Sequence, residues 1–154
     1  MATVKPKTTV TMRLEGACAS HSRTDVKVRD LNTVIDEPTE RGGTNQGPTP
    51  TEMLMASLIG CTNVIAHKVA EKNGVDIDSM SVRVEAQFDR RGVTLAEEIP
   101  VPFPSVTLHI DLVTGADAAA VEKVKRDVQK FCPLSKVLRA SGTEVKEEWN
   151  VRAA

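Results

Sequence analysis

The sequence has no tyrosine, one tryptophan and three phenylalanines in 154 residues. Platforms that stack nucleic-acid bases need exposed aromatic rings, so this scarcity argues against such a role. It also leaves the core to Val, Ile, Leu, Met and Ala. No excess of one charge is present: 20 Lys and Arg stand against 21 Asp and Glu, a formal net charge of −1. Nothing in that balance draws the chain to nucleic acid or to an anionic membrane surface. There are three cysteines, Cys18, Cys61 and Cys132. They make no static disulfide framework in a reducing compartment and read as buried or reactive thiols. With three histidines they form no C-x₂-C or H-x₃-H pair, so zinc is a poor fit. No run approaches the roughly 18 apolar residues of a membrane span. The opening MATVKPKTTV lacks the apolar stretch of a signal peptide. The expectation is a cytoplasmic protein, without cofactor, nucleic acid or membrane, folded as a single domain over residues 1–154.

What is present is clear periodicity. Val10, Met12 and Leu14 alternate with polar residues and read as a first strand, with GACASHS a turn after it. Val26 and Val28 mark a second strand, Val34 and Ile35 a third. Three prolines and three glycines between Asp36 and Pro50 make that stretch a loop. Loops of this length in compact domains are often functional. TPTE then fits a capping box, with Thr49 as N-cap, Pro50 first in the helix and Glu52 at the third helical position. The helix runs to Asn73–Gly74. From Met53 to Ala66 it is apolar on nearly every side, so burial all round is expected. A small domain cannot enclose such a helix alone. Ala56, Ser57 and Gly60 would let a second helix approach, and a homodimer with this helix near the interface is inferred.

Beyond it, Met80 to Phe88 and Val106 to Leu112 alternate as half-buried strands, separated by an irregular stretch with three prolines. A second helix carries the stripe Val121, Val124, Val128 and Phe131. Cys132–Pro133 interrupts it, and a short helix resumes to Gly142. Val145, Trp149 and Val151 form the inner face of a last strand, and Glu147 shares that face. The order β-β-β-α-β-β-α-α-β reads as α+β, with antiparallel sheets against a long buried central helix.

Two thiols carry the chemical interest. Cys61 lies in mid-helix between Ser57, Leu58, Val64 and Ile65, where a free cysteine is commonly a small buried hydrophobe. Cys132 precedes a proline at a helix start, where backbone N–H groups favour the thiolate. Helix-end electrostatics therefore makes Cys132 the more acidic thiol, with a buried thiol as the alternative. Cys18 sits in a turn with no helix to activate it. Glu52 is explained by the capping box. It lies about 13 Å along the axis from Cys61 and half a revolution round, so it can act on that thiol only across a dimer. Arg13, Arg23, Arg29 and Arg41 flank the loops leading into the helix.

Together, ERGGTNQGPTPTE, MLMASLIGCT and FCPLSKV resemble the OsmC/Ohr superfamily of osmotically inducible and organic-hydroperoxide-resistance proteins. The order of elements matches over nearly the whole chain. The resemblance implies an intertwined homodimer with two central helices between sheets and active sites at the subunit interface. It implies a Cys-based peroxidase: Cys61 attacks an organic hydroperoxide, Cys132 resolves the sulfenic acid as a disulfide, and a dithiol, lipoyl in the hydroperoxide-resistance branch, resets it. It further implies an activating glutamate and arginine, assigned here to Glu52 and Arg23. In the peroxidase branches the acidic residue directly follows the proline, whereas Thr51 stands there and Glu52 comes one later. P-T-E is more similar to the less characterised OsmC-like branch. The alternative is a non-enzymatic OsmC-like dimer that binds a small apolar ligand, with the cysteines as pocket lining.

Overall fold

The computed structural model describes residues 8–154. The first seven residues of MATVKPKTTV lie outside the described part. Contacts cluster into two compact units, one ending at Met53 and the other spanning Leu54–Ala154.

The first unit is an antiparallel meander of β1 (Glu15–Cys18), β2 (Thr24–Val28) and β3 (Leu31–Ile35). The expected first strand is displaced. Val10, Met12 and Leu14 are exposed and unpaired in any sheet, while Glu15 and part of the expected turn, Gly16–Cys18, pair with Thr24–Lys27. Alternation alone does not make a strand; an edge with free backbone groups must be available, and β2 offers its edge to the later residues.

After β3 the chain folds back on Asp36, whose side chain is fully buried. One carboxylate oxygen accepts the N–H of Glu37 at 2.8 Å. The other accepts the N–H groups of Thr44 and Gln46, each at 3.1 Å, and the Thr44 hydroxyl. A 3₁₀ turn, Thr39–Arg41, lies inside this loop and ends on Gly42 in the left-handed region at φ 82°. A β-carbon at Gly43 would collide with the Glu37 carbonyl, and one at Gly47 with that of Val34. The glycines permit the close return and the carboxylate fastens it. Those donors, the Thr44 hydroxyl first, hold the Asp36 carboxyl well below the usual carboxylate range against the opposing effect of burial.

In the second unit, β4 (Ser79–Ala86), β5 (Ser105–Val113) and β6 (Glu144–Arg152) form a sheet with β5 in the middle. Val106, Leu108, Ile110 and Leu112 of β5 are buried. On the opposite face, His109 stands between Glu148 at 3.0 Å and Glu85 at 3.6 Å. β4 and β5 are antiparallel, but β5 and β6 run parallel, which corrects the expectation of purely antiparallel sheets. The reason is the connection: α2 (Ala118–Phe131) and α3 (Pro133–Ala140) form a crossover, which returns the chain to start β6 at the same end as β5.

Helix α1 (Pro50–Lys72) has 23 residues and is long and apolar enough to cross a membrane by length and composition. It buries one stripe, Leu58, Thr62, Ala66, Val69 and Ala70. Leu58 packs in one core cluster with Val106, Leu108 and Ile110; Ala66, Val69 and Ala70 pack in another with Val124 and Val128. Burial all round does not hold within one chain: Leu54 is 37% and Val64 49% exposed. In α2 the stripe ends early, since Phe131 is 48% exposed and lies under the ammonium groups of Lys72 and Lys130. Phe131 lies at the edge of the stripe, about 80° round from Val121, and Cys132, four residues after Val128, takes the buried position instead.

Because the Asp36 pKa is depressed in the fold, its stabilisation is present above the unfolded carboxyl pKa and is lost as pH falls below it. Circular-dichroism melts should show the wild-type midpoint dropping as pH is lowered from about 5 to 2. Asp36→Asn should melt lower at pH 7 and lose less on acidification. Identical acid slopes would show that the carboxylate does not fasten the loop.

Candidate active site

Helix α1 starts where its sequence says. The Thr49 N–H donates to Glu52 Oε2 at 2.8 Å, and the Glu52 N–H donates to Thr49 Oγ1 at 3.3 Å, a closed capping box. Cys61 lies on this helix, partly buried, beside the Leu58 cluster. Helix α2 is started by Asp117, which accepts the Ala120 N–H at 2.8 Å. It ends at Cys132, which has extended geometry at φ −67° and ψ 109°. Pro133 explains both facts: it excludes helical backbone at the preceding residue and, as the first residue of α3, has no N–H to leave unsatisfied. Cys132 is therefore the last cap of α2 and the first of α3. Its N–H donates to the Val128 carbonyl at 2.9 Å and its carbonyl accepts the Lys136 N–H at 3.1 Å.

The Cys132 side chain lies in the core, four residues beyond Val128 on the buried stripe of α2, and the residue is 1% exposed. Its Sγ–H donates to Cys61 Sγ across 3.2 Å. The pair is reduced, and closing it to a disulfide requires the sulfurs to approach to about 2.05 Å. Met55, Ile65, Phe103 and Leu134 pack against the same cluster.

Burial pushes the Cys132 thiol up to about 11. The N–H groups of Ser135 and Leu134 oppose that rise, and the Cys61 sulfur adds to it. Neither N–H closes a cap hydrogen bond onto the sulfur. The expectation that the helix end would make Cys132 acidic is thus reversed: desolvation outweighs the helix end. Cys61 is the more accessible of the two sulfur-bearing residues.

The other candidates sit in the first unit. Arg23 Nε pairs with Asp25 at 2.9 Å. Glu52 is exposed, and its carboxyl is lowered chiefly by the Thr49 backbone N–H, with Arg41 contributing charge. Arg41 Nε itself lies 3.2 Å from Glu37. The arginine whose charge bears on Glu52 is therefore Arg41, held by the 3₁₀ turn that Asp36 organises. Cys18 is exposed at the end of β1. Among the described residues, no group of three or more His, Cys, Asp or Glu side chains is placed to hold a metal ion. Sequence reasoning passed over Asp36, although an Asp that opens a loop rich in N–H donors is a recognisable signal.

At pH 8 a thiol of pKa about 11 is thiolate in roughly one molecule per thousand. Iodoacetamide at that pH, followed by peptide mass spectrometry, should label Cys18 and Cys61 while Cys132 stays unmodified. Labelling of Cys132 at the rate of Cys61 would contradict its assignment as the buried, protonated partner.

Comparison with known proteins identifies the family and the fold. Residues 43–148 match the family model described as OsmC-like protein. The uncharacterised protein YmaD of Bacillus subtilis (strain 168) is 25% identical over 124 residues, covering 80% of this chain and 81% of that one. An OsmC-like protein from Mycoplasma pneumoniae superposes with a TM-score of 0.73 at 16% identity, covering 94% of this chain and 98% of its own. An organic hydroperoxide resistance protein OsmC from Legionella pneumophila gives 0.69 at 20% identity, covering 94% and 99%. With its family match extending from the glycine loop through the thiol pair into the last strand, the chain belongs to the OsmC-like protein family.

Proposed function

We propose that this protein reduces organic hydroperoxides at the Cys61–Cys132 pair, as a cytoplasmic detoxification enzyme. The observation that carries the reading is the 3.2 Å approach of two sulfurs of unequal burial. Structural neighbours described as organic hydroperoxide resistance proteins add support at the level of fold. Cys61, the accessible thiol, attacks the peroxide O–O bond. It becomes a sulfenic acid and releases the alcohol. Cys132, protonated until needed, then attacks the sulfenic sulfur, forming the disulfide and releasing water. A dithiol such as a lipoyl group returns both to thiols by exchange, itself becoming oxidised. The apolar side chains around the pair suit an alkyl hydroperoxide better than hydrogen peroxide.

The same reading includes a homodimer. The surface of α1 bearing Leu54, Ala56, Gly60 and Val64 is exposed in the single chain. Its small and apolar residues suit close packing against a second copy of the helix. Glu52, unable to reach Cys61 along its own helix, would serve the partner's thiol, with Arg23 or Arg41, whose charge lowers the Glu52 pKa, as the activating arginine.

Peroxide consumption with dihydrolipoamide and tert-butyl hydroperoxide tests the activity. Wild type should turn over, Cys61→Ser should fall to the background rate, and Cys132→Ser should lose the dithiol-linked cycle. Equal rates for all three would leave the cysteines as lining of a pocket for a small apolar ligand. Sedimentation equilibrium tests the assembly: wild type should be dimeric and Val64→Arg should shift toward monomer, whereas a monomeric wild type would remove the interface.

A further inference from the structure

Glu147 is an anomaly of the last strand. It stands on the inner face of β6 between Val145 and Trp149, and its side chain is only 1% exposed. An apolar residue would fill that position without desolvating a carboxyl group. Burial raises its pKa, and three groups answer its oxygens. The Trp149 indole N–H donates to Oε2 at 3.1 Å. Gln129 of α2 contributes a side-chain hydrogen bond. Arg139 Nη2 lies 3.6 Å from Oε1.

The guanidinium of Arg139 is the centre of this cluster. It also donates to the Val145 carbonyl at 3.3 Å and to Ser135 Oγ at 3.2 Å. Ser135 is buried and belongs to the first turn of α3, the turn that Cys132 caps. A planar fork of fixed geometry thus ties β6 to the turn that carries the buried sulfur.

We propose that Arg139 and Glu147 are positioning residues for Cys132, clamping the first turn of α3 so that its sulfur stays beside Cys61. This rests on the two-cysteine reading above. The clamp acts on the local concentration of one thiol at the other. With Cys132 protonated at neutral pH, its effect there is on proximity, not on thiolate stability. A loosened turn lets the sulfur sample more positions and makes the disulfide less favourable relative to the two thiols.

Titration of the cysteine pair against reduced and oxidised glutathione tests this without any peroxide. Arg139→Met alone leaves a buried carboxyl without its cation and risks misfolding. The informative variants are therefore the double substitution Arg139→Met/Glu147→Leu, which removes both partners, and Ser135→Ala. In each, the equilibrium constant for forming the Cys61–Cys132 disulfide should fall about tenfold, equivalent to ~30 mV for this two-electron couple. Val124→Ala, in the other core cluster, should lower thermal stability while leaving that constant at the wild-type value. Constants within twofold of wild type in both clamp variants would overturn the proposal and leave the peroxidase reading intact. A wild type that forms no Cys61–Cys132 disulfide at any glutathione ratio would overturn both.

Discussion

The layer that holds the thiol pair turns on one break in the backbone. Pro133 forces Cys132 out of helical geometry, so α2 stops and α3 starts on the same residue. Position 132 falls four residues beyond Val128, on the buried stripe of α2, so its sulfur faces inward where that helix ends, while Phe131 lies at the edge of the stripe and is exposed. There the Cys132 sulfur joins the cluster built on Leu58, where α1 supplies the second sulfur, and the break starts α3 directly on that residue. The same crossover sets the parallel course of β6. The strand's inner face then brings Glu147 and Trp149 beneath α2 and α3. Proximity of the sulfurs, sheet order and the Arg139 cluster all follow from how the chain leaves α2.

Burial then decides the division of labour. A thiol at a helix start is favoured as thiolate by nearby N–H groups, whereas a thiol removed from water is favoured protonated. At Cys132 the second effect prevails, and the group titrates near 11. The sequence exposes only the first effect, because capping is local and legible in four residues. Desolvation comes from Leu58, Val106 and Leu138, which are far apart along the chain. The reversal fits the proposed two-cysteine reading, in which the accessible sulfur would meet the oxidant and the buried one would stay protonated until a sulfenic acid formed beside it.

The legible parts were those encoded locally or by a strict period. The Thr49–Glu52 capping box, the alternation in β4 and β5 and the Val121–Val124–Val128 stripe are written within one element each. The pairing of Cys61 with Cys132 was legible only through resemblance, since nothing local links them. What escaped depends on partners elsewhere. The first strand shifted to Glu15–Cys18 because hydrogen-bonding edges, not alternation, select a strand. The parallel β5–β6 pairing is a property of the crossover. The all-round burial expected of α1 requires surface that one chain does not supply.

The two buried carboxyl groups show how environment, not residue type, fixes an electrostatic role. Asp36 is surrounded by N–H and O–H donors, so its charged form is favoured and its contribution disappears as acid protonates it. Glu147 is buried with fewer donors on its oxygens, so desolvation raises its pKa against the pull of Trp149, Arg139 and Gln129. A raised pKa contributes stability that is present below the ordinary carboxyl value and lost as pH rises through the folded one. The first unit therefore gains from an ionised carboxylate at neutral pH, while in the second burial works against ionisation of Glu147 and Arg139 works for it. A buried carboxyl that sits in the layer holding the Cys132 sulfur is better explained by placement than by packing. A leucine at 147 would satisfy the sheet but give the Arg139 guanidinium no anion to anchor it above the first turn of α3.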